Sequence, residues 1–325
     1  VAAWSSLLDL VRLADSPRRP DDPRLGELIE FWRGNDDAIR PGRPVVIGFP
    51  CDIGVQRNLG RPGAAHAPAA VRLALYRLTA WDGLDDVNLT DNPPLDLGDV
   101  RVGTDLVAAQ DSLAQVVAGV VRRGAVPIVV GGGHETALGV YLGQASSGRS
   151  VRVVNLDAHL DVRPTVDGQG TSGTAFRQML EHPAHPLPGR HYACLGAMTG
   201  SVARAHWLWV REKGGVVRWA DEVRGRLADE WDREVARLSA DLPIQLSLDA
   251  DVVRQADVPG VSAPNAGGLS GHEVLVVLRK AGAAANVASL EVVEVNPSLD
   301  RDGQSVRWAA QAIWSFLAGL ARRPT

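Results

Sequence analysis

Apolar, β-branched runs of about five residues recur along the chain, and longer stretches of helical period separate them. The runs read as buried strands at Val45–Phe49, Leu95–Leu97, Val126–Val130, Val151–Leu156, Tyr192–Leu195, Gly215–Arg218, Pro243–Leu248 and Val287–Val293. Helices are expected over Ala67–Leu78, Leu106–Arg123, Asp221–Leu238, Gly271–Ala281 and Val306–Ala321. A shorter amphipathic helix is expected at Ser5–Ala14, followed by a Pro/Arg/Asp-rich breaker run over Asp15–Arg24. This strand–helix alternation predicts an α/β fold with a largely parallel sheet and helices on both faces. Eight strands fit an open sheet or a closed barrel. No internal repeat or low-complexity linker divides the chain. The expected organisation is a lead-in over residues 1–42 and one domain over residues 43–325.

Composition narrows the class. The 325 residues are 45% hydrophobic and 22% charged, as in a soluble globular protein with ample core material. The densest apolar stretches, Ala125–Val130 and Val274–Leu278, fall far short of the ~18 residues of a spanning helix. No charged-then-apolar signal segment opens the sequence, so a cytoplasmic location and no membrane partner are expected. With 34 basic and 38 acidic residues the net charge is −4, which speaks against nucleic acid as a partner. Of the basic residues only Lys213 and Lys280 are lysine. So strong an arginine bias reflects genome composition and weakens any inference from a single Arg. Cys51 and Cys194 match no CxxC pattern and read as reduced thiols rather than a disulfide.

In open α/β sheets, ligands bind at the carboxyl ends of strands. Four polar motifs fall there. Gly131-Gly132-Gly133-His134-Glu135 follows the third expected strand and Asp157-Ala158-His159-Leu160-Asp161 the fourth. Ser247-Leu248-Asp249-Ala250-Asp251 ends the seventh, and Glu291 to Pro297 ends the eighth. Each motif alone has a plain reading as a helix start, a strand-end cap or an ion pair. Their conjunction gathers four Asp side chains and two imidazoles at one sheet edge. Four unneutralised carboxylates would repel, and some would have to stay protonated. Two divalent cations balance the charge, and a hard-to-borderline O/N set suits Mn²⁺, with Zn²⁺, Fe²⁺ or Co²⁺ also able to bind.

The blocks GGGHE, NLDAHLDVR, SLDADVV and EVNP resemble the signature blocks of the ureohydrolase family, which includes arginase, agmatinase and formimidoylglutamase. Asp52-Ile53-Gly54 with Gly60-Arg61-Pro62-Gly63-Ala64 resembles the family's N-terminal motif. The resemblance implies a three-layer α/β/α sandwich with an eight-stranded, mainly parallel sheet, two Mn²⁺ per subunit, and a trimer or hexamer. It implies that His134 and Asp161 hold one ion and His159 and Asp251 the other, with Asp157 and Asp249 bridging. Two ions about 3.5–4 Å apart activate a bridging hydroxide for attack on an amidine or guanidine carbon. Asp161 is the implied proton carrier. Glu294 is the implied partner of the cationic substrate end.

Arginase- and agmatinase-like members carry a His-Gly pair in the loop after the D-x-H-x-D block. Here that stretch reads Gly170-Thr171-Ser172-Gly173-Thr174-Ala175-Phe176, with Ser172 in the place of the histidine. A serine does not titrate near neutrality. This pattern, Arg163, and the run Val258–Pro264 resemble formimidoylglutamase, which implies hydrolysis of N-formimidoyl-L-glutamate to L-glutamate and formamide in histidine degradation. Such a small-molecule substrate has two carboxylates, and Arg163 and Arg177 are the candidates to meet them, with Arg57 and Arg61 further possibilities. The alternatives are a guanidino-hydrolase releasing urea, and an inactive metal-stabilised oligomer. His66, His182, His185, His206 and His272 read as solvated or capping, and His191 as a possible support behind the site.

Overall fold

The computed structural model describes residues 3–11, 21–237 and 242–323. All eight expected strands form: β1 (Pro44–Phe49), β2 (Leu95–Val100), β3 (Val126–Gly131), β4 (Arg152–Leu156), β5 (Tyr192–Ala197), β6 (Val216–Trp219), β7 (Ile244–Asp249) and β8 (Val287–Val293). They lie in the order β2-β1-β3-β8-β7-β4-β5-β6, every neighbouring pair parallel. Two strands of two residues bring the sheet to ten. Leu8–Asp9 pairs antiparallel with β2, and Glu30–Phe31 pairs parallel with it. Both come from the lead-in and extend the sheet's edge.

The helices are α1 (Ile53–Arg57), α2 (Ala67–Leu75), α3 (Leu106–Arg122), α4 (Thr136–Ser146), α5 (Ala175–Leu180), α6 (Arg204–Glu212), α7 (Leu227–Arg237), α8 (Gly271–Ala283) and α9 (Gln304–Leu320). The strands are apolar without break because both faces are covered. Alternate residues point to opposite faces. Val46, Ile128, Val130, Leu246 and Leu290 pack with α2, α8 and α9 in one core, whereas Val45, Ile47 and Val129 pack with α3 in another. The result is a three-layer α/β/α sandwich. No described helix is long and apolar enough to cross a membrane.

Two expected elements differ. Ser5–Ala14 is no amphipathic helix: a 3₁₀ segment over Ala3–Leu7 turns into the edge strand Leu8–Asp9, and Arg12–Ala14 lie outside the described residues. Most of the breaker run over Asp15–Arg24 also lies outside them. Pairing with β2 satisfies backbone groups that a two-turn helix would leave open at both ends. The helix expected over Asp221–Leu238 is split. A single turn, Ala220–Val223, stops before Gly225, whose φ of +78° reverses the chain before α7 begins. Cys51 and Cys194 are buried, free thiols.

Candidate metal centre and substrate cavity

Strands β3, β8, β7 and β4 are adjacent and in register, with Val130 beside Val292, and Leu248 beside both Val292 and Leu156. Their carboxyl ends therefore finish at one level, and the four polar motifs leave from there. His134 lies in the turn between β3 and α4. This turn passes so close to the chain after β1 that a Cβ on Gly132 would stand 1.8 Å from the Cys51 carbonyl oxygen. Asp157 to Asp161 follow β4. Asp249 ends β7, Asp251 sits in the 3₁₀ turn behind it, and Glu294 follows β8.

The six residues converge in two groups, His134-Asp157-Asp161-Asp249 and Asp157-His159-Asp251, with the ligand atoms in each within 4.8 Å of one another. His134 Nδ1 stands 3.0 Å from Asp161 Oδ2, 3.0 Å from Asp249 Oδ2 and 3.3 Å from Asp157 Oδ2. His159 Nδ1 stands 3.0 Å from Asp251 Oδ2 and 3.6 Å from Asp157 Oδ1. Asp157 thus offers one oxygen to each group. Asp249 falls in the first group, and its Oδ1 accepts the Asp251 N–H at 2.9 Å.

Several contacts hold these side chains in place. His134 Nε2 shares a hydrogen bond of 2.8 Å with Ser247 Oγ. Phe176 meets the His134 ring edge-on at 5.0 Å between centroids. Asn155 Nδ2 donates to Asp157 Oδ2 at 2.9 Å, and the His159 N–H donates to Asp157 Oδ1 at 2.7 Å. Asp161 and Glu294 adopt φ of +44° and +63°, a region that non-glycine residues seldom occupy and that clusters at functional sites.

Electrostatics say what the cluster is suited to hold. His134 is fully buried and its Nδ1 makes no hydrogen bond, although three carboxylate oxygens surround it. Burial, with Asp251 and Asp157 adding to it, pushes the Asp249 pKa well above the carboxylate range. Burial also works against Asp157, but the two histidines outweigh it and hold Asp157 low. The Asp251 carboxylate raises His159 strongly. A buried, unbonded imidazole nitrogen among carboxylate oxygens is a donor set of the kind divalent metals bind, and the two groups suit two ions.

Above the groups lies a cavity of about 350 Å³. Its lining includes His159, Asp161, Asp249, Asp251 and Glu294, and also Arg163, Ser172, Asn58, Arg61 and His206. Glu294 is buried, and burial with Glu135 nearby pushes its pKa up to about 8. Ser172 Oγ accepts from Asn58 Nδ2 at 3.2 Å. Arg61 is fastened to the loop between β7 and α8, its guanidinium donating to the Ser262 and Val261 carbonyls at 3.0 and 2.7 Å. Arg57 instead reaches the Gly170 carbonyl at 3.4 Å.

One expected cavity residue lies elsewhere, and one unexpected residue lies in the cavity lining. Arg177 does not line this cavity. It pairs with Glu181 at 3.1 Å and stacks over Trp209 at 4.6 Å. His206, read as solvated or capping, is half-buried and lines the cavity. No local pattern marks it, and the same holds for Asn58. His191 caps the amino end of β5, opposite the site, and supports nothing there.

The chain matches the arginase family model over residues 43–319 and belongs to the arginase family. Within that family, the formimidoylglutamase of Klebsiella pneumoniae (strain 342) is 35% identical over 313 residues, covering 93% of each chain. That of Chromobacterium violaceum is 34% identical and covers 93% of this chain and 96% of its own. Among solved structures, Trypanosoma cruzi formiminoglutamase with Mn²⁺ superposes with a TM-score of 0.86 at 33% identity, covering 94% of this chain and all of the other. Bacillus subtilis formimidoylglutamase gives a TM-score of 0.88 at 27% identity, with 97% of each chain covered.

Proposed function

We propose that this protein hydrolyses N-formimidoyl-L-glutamate to L-glutamate and formamide, a step of histidine degradation, with two Mn²⁺ ions. The observation that carries the reading is the cavity itself. It joins an acidic floor, suited to an amidinium, to the cation Arg163, and Ser172 stands where a guanidino-hydrolase has histidine. The formimidoylglutamase relatives and the Mn²⁺-containing neighbour support it.

His134, Asp157, Asp161 and Asp249 would hold one ion and Asp157, His159 and Asp251 the other. Bound there, the pair supplies Lewis acidity that makes water a nucleophile near neutral pH. The chain's own residues do the rest. Glu294 orients the amidinium through charge-assisted hydrogen bonds. Asp161, on the cavity wall, takes a proton from the attacking water and returns it to the departing amine as the bond between the amidine carbon and the glutamate nitrogen breaks. Arg163 binds substrate carboxylate, and Ser172 with Asn58 shapes the wall beside it. Arg177 is left out of this assignment.

The same reading takes residues 43–325 as one catalytic domain with a lead-in over residues 1–42, and the protein as a cytoplasmic homo-oligomer, a trimer or hexamer. The deciding experiment loads the protein with Mn²⁺ and offers N-formimidoyl-L-glutamate, agmatine, arginine and 4-guanidinobutyrate in parallel. Glutamate and formamide from the first alone is the expected result. Urea from a guanidine, with no action on the first, would refute it.

A further inference from the structure

Of the cation-capable groups that line the cavity, Arg61 is tied to the Ser262 and Val261 carbonyls and His159 to Asp251, which leaves Arg163 and His206, from different elements. Arg163 comes from the loop after β4, and His206 from the first turn of α6. Among the described residues, neither side chain has a hydrogen-bond or ion-pair acceptor in the protein. They are neighbours. Burial depresses the His206 pKa first, and the Arg163 and Arg177 guanidiniums depress it further, with Asp161 acting the other way. Of these, Arg177 is already engaged by Glu181 and Trp209.

Two donors set side by side in a half-enclosed cavity, with no acceptor between them, form an incomplete arrangement. One carboxylate completes the Arg163 fork. It leaves the imidazole N–H without an acceptor. A second carboxylate on the same skeleton would give that N–H its acceptor.

We propose that His206 binds one carboxylate of a dicarboxylate amidine while Arg163 binds the other, so that the cavity selects diacids over monoacids. This rests on the formimidoylglutamate reading above. It adds the residue that distinguishes two carboxylates from one.

The test uses the Mn²⁺-loaded full chain and three amidines. N-formimidoyl-L-glutamate has both carboxylates. N-formimidoylglycine keeps only the one next to the amidine nitrogen, and N-formimidoyl-4-aminobutyrate only the remote one. His206→Ala is expected to raise KM about tenfold for the diacid, with kcat within about twofold. It should raise KM alike for one monoacid and leave the other unchanged, because that substrate lacks the carboxylate His206 holds. His206→Gln, which keeps an N–H donor, should recover most of the loss. If the Ala variant does not fold, His206→Leu takes its place. An equal effect on all three substrates, no effect on any, or a fall in kcat alone would overturn the assignment. A wild-type protein inactive on all three amidines would overturn the activity and the subsite together. An active wild type with an indifferent His206 variant would overturn the subsite alone.

Discussion

Glu294 Oε1 accepts a hydrogen bond from the His134 backbone N–H at 2.9 Å, tying the last polar loop of the sheet edge to the first. One carboxylate oxygen is thereby committed to the scaffold, and the other remains for the cavity. The two duties separate by mutation. Glu294→Gln keeps an acceptor for the His134 N–H and removes the charge. It should retain its metal and melting temperature while losing about 10²–10³-fold in kcat/KM. Glu294→Ala removes the acceptor too and should also weaken metal binding. Steady-state kinetics with metal analysis checks both, and near-normal turnover by the Gln variant would exclude the substrate role.

Asp157 and Asp251 differ in how many ligand groups they join, and metal content should report it. Asp157 offers oxygens to both groups and Asp251 to one. Asp157→Asn is expected to leave less than one Mn²⁺ per chain, and Asp251→Asn about one. Stripping the wild type with a chelator should lower its melting temperature, and added Mn²⁺ should restore it, because a ligand bound only by the folded state stabilises that state. Elemental analysis of the dialysed proteins is the measurement. Equal metal loss in the two variants would refute the division into groups.

The strands and the site were legible in the sequence for the same reason. Unbroken apolar runs such as Val126–Val130 and Val287–Val293 are what a sheet covered on both faces requires, and a motif that follows such a run can only sit at its carboxyl end. The positions of His134, Asp157 and Asp249 follow from that pattern alone. His206 and Asn58 were not, because a helix face and a loop carry no pattern that says which cavity they border. Arg177 shows the converse. Its nearness in sequence to the metal loop suggested a role, but the handedness of α5 turns it toward Glu181 and Trp209. The lead-in misled because a two-residue edge strand is too short to have a period.

Glu291, on β8, gives a stability prediction. It is fully buried and accepts from Gln245 Nε2 at 2.9 Å, while its Oε2 has no partner. Burial pushes its pKa up to about 7, with the neighbouring Gln245 and Ser247 side chains acting against that. An acid whose folded pKa lies above its unfolded value of 4.5 favours the fold below pH 4.5, and that contribution is lost as pH rises through about 7. Glu291→Gln cannot ionise. The variant should therefore gain stability relative to wild type as pH rises from 5 to 8, by up to the order of 3 kcal/mol. Denaturant melts at several pH values measure this, and a constant difference would exclude it.

Arg163 and Arg177 should separate kinetically. Arg163 borders the cavity without a protein acceptor, so Arg163→Ala should raise KM for a carboxylate-bearing amidine about 10- to 100-fold with little change in kcat. Arg177 is spent on Glu181 and Trp209, so Arg177→Ala should leave both constants within about twofold and lower stability by at most about 1 kcal/mol. Reversed phenotypes would mean that the substrate enters from the α5 side.

Gly132 and Gly173 flank the same site, yet their alanine variants should fail in different ways. At Gly132 a Cβ would stand 1.8 Å from the Cys51 carbonyl oxygen and 2.6 Å from its carbon, both backbone atoms of a buried segment that packs under the His134 turn. Neither can withdraw, so the turn itself must move. Gly132→Ala should fold poorly and carry little metal. At Gly173 the nearest atoms are Arg163 Cδ at 2.9 Å and Asn58 Nδ2 at 3.1 Å, both on side chains that border the cavity. These can swing aside at modest cost. Gly173→Ala should keep its metal and melt within a few degrees of wild type, while a displaced Arg163 raises KM severalfold. Soluble yield, metal content and KM distinguish the two, and a Gly173→Ala protein with wild-type KM would show that substrate binding does not depend on where Arg163 sits.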